Sequence, residues 1–126
     1  MRHLEARAQE QVVRFLRMEY PQALITGGFD TCHLRPQQGM RRKLAGYRPG
    51  TPDIIILESR GRWHGLLVEM KAEKGRLSPA QTEFLKAASE RGYLTLVAYS
   101  TSQAISGIKE YLNSADNIRS RGMYEL

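Results

Sequence analysis

With 126 residues, 41% hydrophobic and 25% charged side chains, the chain has the make-up of one globular domain that buries about two-thirds of its unfolded surface. Its net charge of +6 favours a polyanionic partner. A single cysteine, Cys32, excludes a disulfide framework and a cysteine zinc site; no apolar run is long enough to span a bilayer and no signal peptide is visible, so a reducing, intracellular location is expected.

Leu4, Ala8, Val12, Phe15 and Leu16 recur at helical spacing, which predicts a helix from His3 to about Glu19, ended by Pro21. Glu5 borders that stripe. Ala23 to Thr26 reads as a short strand closed by Gly27 and Gly28. From Phe29 to Thr51 there is no clear period, so a long irregular loop is expected. No acid lies between Asp30 and Asp53, whereas Arg35, Arg41, Arg42, Lys43 and Arg48 do. That composition suits contact with a phosphate backbone; the alternative is a solvated flexible loop. Cys32 and His33 have no partner motif and read as structural or incidental.

Asp53-Ile54-Ile55-Ile56-Leu57 and Gly65 to Lys71 flank a polar turn, Glu58 to His64, the pattern of a β-hairpin. Paired residue numbers in such a hairpin add to a constant. With the turn centred on Gly61, Asp53 falls opposite Glu69, and strand alternation puts Lys71 on the face of Glu69. Two carboxylates about 4 Å apart repel by roughly 4 kcal/mol at an effective dielectric near 20, and a divalent cation reverses that sign. Magnesium suits one or two carboxylates with water and phosphate oxygens, which makes this end of the hairpin a candidate metal site. The competing reading is a turn acid followed by a solvated strand face.

Ala72 to Leu77 forms a short basic loop with Lys74 and Arg76. Ser78 then reads as an N-cap, with Pro79 at the first helical position and Gln81 three residues after the cap. Ala80, Phe84, Leu85, Ala87 and Ala88 supply the apolar stripe, and Gly92 is the stop. Tyr93 to Tyr99 reads as a strand buried on both faces. Ser102 is the expected cap of a last helix through Leu112, with Ala104, Ile105, Ile108 and Leu112 inward; residues 113–126 read as a tail, loose or packed on a partner. The order predicts an α/β fold of the α+β kind, a mixed sheet with helices on both faces. No glycine-rich dinucleotide or Walker loop is present, so no nucleotide cofactor is expected. His3, His33 and His64 are scattered and support no Ser-His-Asp arrangement.

Gly50-Thr51-Pro52-Asp53, then Glu69-Met70-Lys71, then Gly75-Arg76-Leu77-Ser78-Pro79-Ala80-Gln81 resemble the VRR-NUC family of the PD-(D/E)xK nuclease superfamily. The family's first helix usually carries a Glu, a Gln four residues later and then an apolar pair, a spacing matched by Glu5, Gln9 and Val12-Val13. The resemblance runs from about Leu4 to Ser100. It implies a restriction-endonuclease-like core of αβββαβ order with a C-terminal helix, in one nuclease domain over 1–126 whose core is 1–112.

The activity so implied is that of a metal-dependent DNA endonuclease using Mg2+ or Mn2+. Asp53, Glu69 and the Met70 backbone carbonyl are the implied metal ligands. Lys71 would position the attacking water, and Gln81 would orient that water or a phosphate oxygen. That role for Gln81 stands beside its plain reading as a capping-box residue. Glu5 would join through water or at a second metal, a role for which Glu10 breaks the family spacing. Arg35, Arg41, Arg42, Lys43, Arg48, Lys74 and Arg76 are the candidate DNA contacts. Small stand-alone members resemble Holliday junction resolvases, which implies a homodimer acting on branched or four-way DNA in the cytoplasm of a bacterial or phage-infected cell. Two alternatives remain: a non-catalytic DNA-binding module keeping the nuclease fold, and a structural or inhibitor protein whose basic face binds an acidic protein.

Overall fold

The computed structural model describes residues 2–28 and 36–114. In chain order the elements are α1 (Arg2–Glu19), β1 (Ile25–Gly27), α2 (Pro36–Leu44), β2 (Ile54–Ile56), β3 (Leu66–Met70), α3 (Pro79–Glu90), β4 (Leu94–Ala98) and α4 (Thr101–Asn113). The strands form one mixed sheet in the order β1-β2-β3-β4, antiparallel except for the β3–β4 pair.

Strand alternation sorts the core into two layers. Ile54, Ile56, Leu66, Val68, Met70, Leu94, Leu96 and Ala98 face α1 and α4, where Val12, Leu16, Ile108 and Tyr111 meet them. Ile55, Leu67 and Val97 face Leu85 and Ala88 of α3. The hairpin register is the one expected: Ile54 pairs with Val68, Ile55 with Leu67 and Ile56 with Leu66, which sets Asp53 against Glu69. Energetics explain why the acids do not push it apart. Each fully buried Ile, Leu or Val contributes roughly 1.5–3 kcal/mol, and a one-residue slip would turn every one of them to the wrong face. Four such side chains in the hairpin outweigh a carboxylate repulsion of about 4 kcal/mol. At the tip, the Arg60–Trp63 bridge is offset by one residue from the strand register. Tyr111 Oη donates to the Glu58 carbonyl at 2.6 Å and Arg60 Nε to the Leu112 carbonyl at 3.0 Å, which ties the tip to α4.

Several expectations are corrected. The segment expected to be an irregular loop contains α2. Pro36 sits at its first position, and Gln37, Gln38, Met40, Arg41, Arg42, Lys43 and Leu44 are mostly strong helix formers. The helix buries none of its residues, and its two large apolar side chains, Met40 and Leu44, are too few to mark a period in the sequence. Arg35, Cys32 and His33, like tail residues 115–126, lie outside the described residues. Strand β1 starts at Ile25, not Ala23; before it, the Leu24 amide donates to Glu58 Oε2 at 2.9 Å. Ser100, not Ser102, caps α4, its Oγ accepting from the Gln103 amide at 3.1 Å. Leu4 is 65% exposed, so the apolar stripe of α1 stops short of its first turn.

Candidate active site at the open end of the hairpin

The first turn of α1 lacks an apolar inward face because it lies against polar groups. Glu5 Oε1 accepts from the Ala72 amide at 3.1 Å, just past the end of β3. One turn later, Gln9 Nε2 donates to the Asp53 carbonyl at 3.0 Å. Gln9 matches the family spacing, which by itself assigns it no role. The signal that finds it is its place four residues after Glu5, on the same helical face.

Asp53 is positioned by a tight turn. The Thr51 amide returns to the Arg48 carbonyl at 3.2 Å, with Pro49 and Gly50 between them and Gly50 at φ +88°. Proline followed by a positive-φ glycine is the signature of a type II turn. A Cβ on Gly50 would collide with the Ala80 carbonyl, so this turn abuts the N-terminus of α3. Asp53 Oδ2 then accepts from the Met70 amide at 2.8 Å. A strand residue sends its N–H and C=O toward the same neighbour, which turns the Met70 carbonyl to the Asp53 side.

Glu69 is 2% exposed. Its Oε1 accepts from Gln81 Nε2 at 3.0 Å, while Oε2 is buried with no hydrogen-bond partner among the described residues. The capping box is also complete: Gln81 Oε1 accepts from the Ser78 amide at 2.8 Å, and Ser78 Oγ from the Gln81 amide at 3.1 Å. The cap is therefore realised, and the same side chain also reaches the acid. Burial is the main force on the acids, since it disfavours a charged carboxylate. It pushes the Glu69 carboxyl up to about 9, with the Asp53 charge adding to the rise and Lys71 opposing it. Asp53 is raised too, again chiefly by burial; the Met70 amide and Lys71 pull the other way, and Glu5 adds to the rise.

Glu5, Asp53, Glu69, Lys71 and Gln81 thus share one end of the sheet. Glu10 is exposed on the surface of α1. Among the described residues no three His, Cys, Asp or Glu side chains are grouped to hold a metal. Glu5 is engaged at Ala72, which leaves Asp53 and Glu69 as the acidic pair. The donor set is oxygen only, and an orphaned buried carboxylate oxygen is the feature that a hard divalent cation would satisfy. Of the candidate DNA contacts, Arg41, Arg42 and Lys43 form the last turn of α2, while Arg48, Lys74 and Arg76 lie on the turns and loop that flank the site.

No curated protein gives a significant match to the chain. A solved structure described as a VRR_NUC domain protein superposes with a TM-score of 0.77 at 26% identity, covering 98% of this chain and 97% of its own. The family model for the VRR-NUC domain matches residues 5–102, which include Glu5, Asp53, Glu69, Lys71 and Gln81. The chain belongs to the VRR-NUC domain family, of the general PD-(D/E)xK kind.

Proposed function

We propose that the chain is a Mg2+- or Mn2+-dependent endonuclease that hydrolyses phosphodiester bonds in branched DNA. Family membership makes its function nuclease-type and DNA-directed. The observation that carries the finer reading is Glu69 Oε2, buried without a partner among the described residues and beside the half-buried acid Asp53.

Asp53, Glu69 and the Met70 carbonyl would hold the ion. When bound, it supplies positive charge at the scissile phosphate and makes water acidic enough to attack at neutral pH. Lys71 brings a fixed cation to the same face, where it stabilises charge developing on the phosphoryl oxygens. Gln81 keeps Glu69 in one rotamer and leaves the carboxylate's other oxygen free for the ion. Gln9 and the Gly50 turn hold the Asp53 backbone. Glu5 fixes the strand end at Ala72.

With one such site among the described residues of each chain, paired incision of a four-way junction requires two chains, and we propose a homodimer on that substrate. The test is nicking of labelled linear, flapped and four-way DNA with magnesium, manganese or chelator, beside Glu69→Gln. Cleavage that needs the ion and Glu69 supports the reading; undiminished cleavage in excess chelator removes it. The scarcity of acidic ligands among the described residues favours a second reading, a DNA-binding module without catalysis. Binding to branched DNA with no cleavage under any ion would select it.

A further inference from the structure

Helix α3 covers only part of the sheet face that carries Asp53 and Glu69. Beside the site lies a groove of about 340 Å³, floored by Ile55 and Leu67, walled by Phe84 and Tyr93, and rimmed by Arg48 and Arg91. Its volume falls within the range of small-ligand pockets. Several of these residues are close in sequence to site residues. Ile55 stands two residues from Asp53 on the same strand face, Leu67 two from Glu69, and Phe84 one helical turn after Gln81. At about 3.3 Å per strand residue the groove begins roughly 7 Å along the strands from the backbone positions of Asp53 and Glu69.

The chemistry of the lining is specific. Two arginines and no acid line the groove among the described residues. The Arg48 guanidinium lies over the Phe84 ring, 5.9 Å from its centroid. Arg91 is anchored by Nη1 to the Ala87 carbonyl at 2.9 Å and stands at the far rim. An apolar floor with an aromatic wall suits a flat, π-bearing ligand, and a cationic rim suits one joined to phosphates.

We propose that this groove is a nucleobase subsite, which takes one unpaired base of the DNA strand next to the scissile phosphate. The inference deepens the nuclease reading and rests on it. The base packs on Ile55 and Leu67 beside the Phe84 ring, and Arg48 and Arg91 meet the flanking phosphates. A base held in a duplex stack cannot enter, whereas one that is unpaired, at a flap or an open branch point, enters at little unstacking cost. Selectivity for branched DNA then arises within one protomer, whatever the assembly.

The experiment uses the full chain and branched DNA carrying 2-aminopurine unpaired beside the mapped cleavage position, with an abasic residue there as the control. Burial of the base on the apolar floor beside the Phe84 ring predicts tighter binding and faster cutting of the base-containing DNA by roughly 5-fold or more, with a change in 2-aminopurine fluorescence on binding. Phe84→Leu keeps an apolar side chain and should remove the contrast; Phe84→Tyr should keep it. If Phe84→Leu melts below the assay temperature, the wild-type contrast with the abasic control and the behaviour of Arg48→Ala decide instead. Tighter binding of the base-containing DNA with a 2-aminopurine signal but no cleavage supports the subsite while the nuclease reading falls. Equal binding and cutting of both DNAs overturns the subsite and leaves the nuclease reading intact. A change of oligomeric state in Phe84→Leu with the contrast unchanged gives the groove to a second copy and overturns it as well.

Discussion

Gln81 donates from Nε2 to Glu69 Oε1 at 3.0 Å while its own Oε1 accepts from the Ser78 amide at 2.8 Å. One side chain therefore closes the start of α3 and fixes the rotamer of the buried acid. The helix cap and the candidate site are mechanically one object. Any displacement of the α3 N-terminus moves the amide that holds Glu69 Oε1.

That coupling separates two substitutions. Gln81→Ala loses both bonds, and loss of a capping interaction costs about 1 kcal/mol. Gln81→Glu retains the acceptor for the Ser78 amide but sets a further carboxylate against Glu69. Thermal melts should show Gln81→Glu close to wild type at low pH, where the acids are protonated, and less stable as pH rises. Cleavage should fall in both variants. Equal pH dependence of the melts in wild type and Gln81→Glu would disconnect Gln81 from Glu69.

The raised Glu69 carboxyl gives a pH dependence of fixed sign. Its value is about 9 in the folded chain against an ordinary 4.5, so between these limits the folded state binds more protons than the unfolded one. Stability in chelator is therefore greatest below about pH 4.5 for this group and falls as pH rises toward 9. Glu69→Gln, neutral at every pH, should flatten that slope in denaturant titrations. Because an ion needs the deprotonated carboxylate, magnesium binding should release protons, and cleavage should rise with pH over the same window.

Gly50 joins two stretches that are far apart in the chain. At φ +88° a side chain is strained, and a Cβ would strike the Ala80 carbonyl. Gly50→Ala should cost roughly 1–3 kcal/mol of stability from the backbone conformation alone. It should also depress cleavage beyond that, since it pushes the Asp53 turn away from Gln81. A variant that melts lower but cuts normally at a temperature where it is folded would show the turn to be structural only.

What is legible in the chain follows the same physics. The hairpin register can be read because pairing in β2–β3 is set by a buried face and centres on Gly61, even though the turn closes one residue off at Arg60–Trp63, so the sequence alone places Asp53 and Glu69 opposite each other. The start of α3 can be read because Ser78, Pro79 and Gln81 are local signals that act within one turn. Helix α2 cannot, because its nine residues hold only two large apolar side chains, Met40 and Leu44, an i, i+4 pair too short to set a period. The partner of Gln9 and the approach of Gly50 to Ala80 are hidden for a different reason. Each depends on a tertiary meeting of distant stretches, Gln9 with Asp53 and Gly50 with Ala80, which no local pattern encodes.

The basic turn of α2 offers a direct test of its part in DNA binding. Replacing Arg41, Arg42 and Lys43 together by Ala should weaken binding and flatten its salt dependence, by a slope of roughly 0.9 for every duplex phosphate that is no longer neutralised. The three residues take no part in a buried core, so the melting temperature should barely move. An unchanged slope would show that α2 stays off the backbone.

Asp53→Asn separates stability from function at one position. In the wild type Oδ2 accepts the Met70 amide, and the same acceptor survives in an asparagine. The substitution removes one charge from the acid pair and introduces an amide N–H beside Glu69, whose buried Oε2 has no partner among the described residues. Above about pH 9, where both acids are charged, the metal-free variant should therefore melt at the same temperature as wild type or higher. With magnesium the order should reverse. An ion that binds only the folded state adds about 2.7 kcal/mol at a hundredfold excess over its dissociation constant, and the variant should forgo most of that gain together with cleavage. Binding to DNA should largely persist, because Arg41, Arg42 and Lys43 stand on a separate helix. Melts with and without magnesium, a gel shift and a cleavage assay on the same preparations test all three parts. A metal-free Asp53→Asn that melts several degrees below wild type would mean that Asp53 serves the turn and the Met70 amide first, and that its repulsion with Glu69 is the smaller effect.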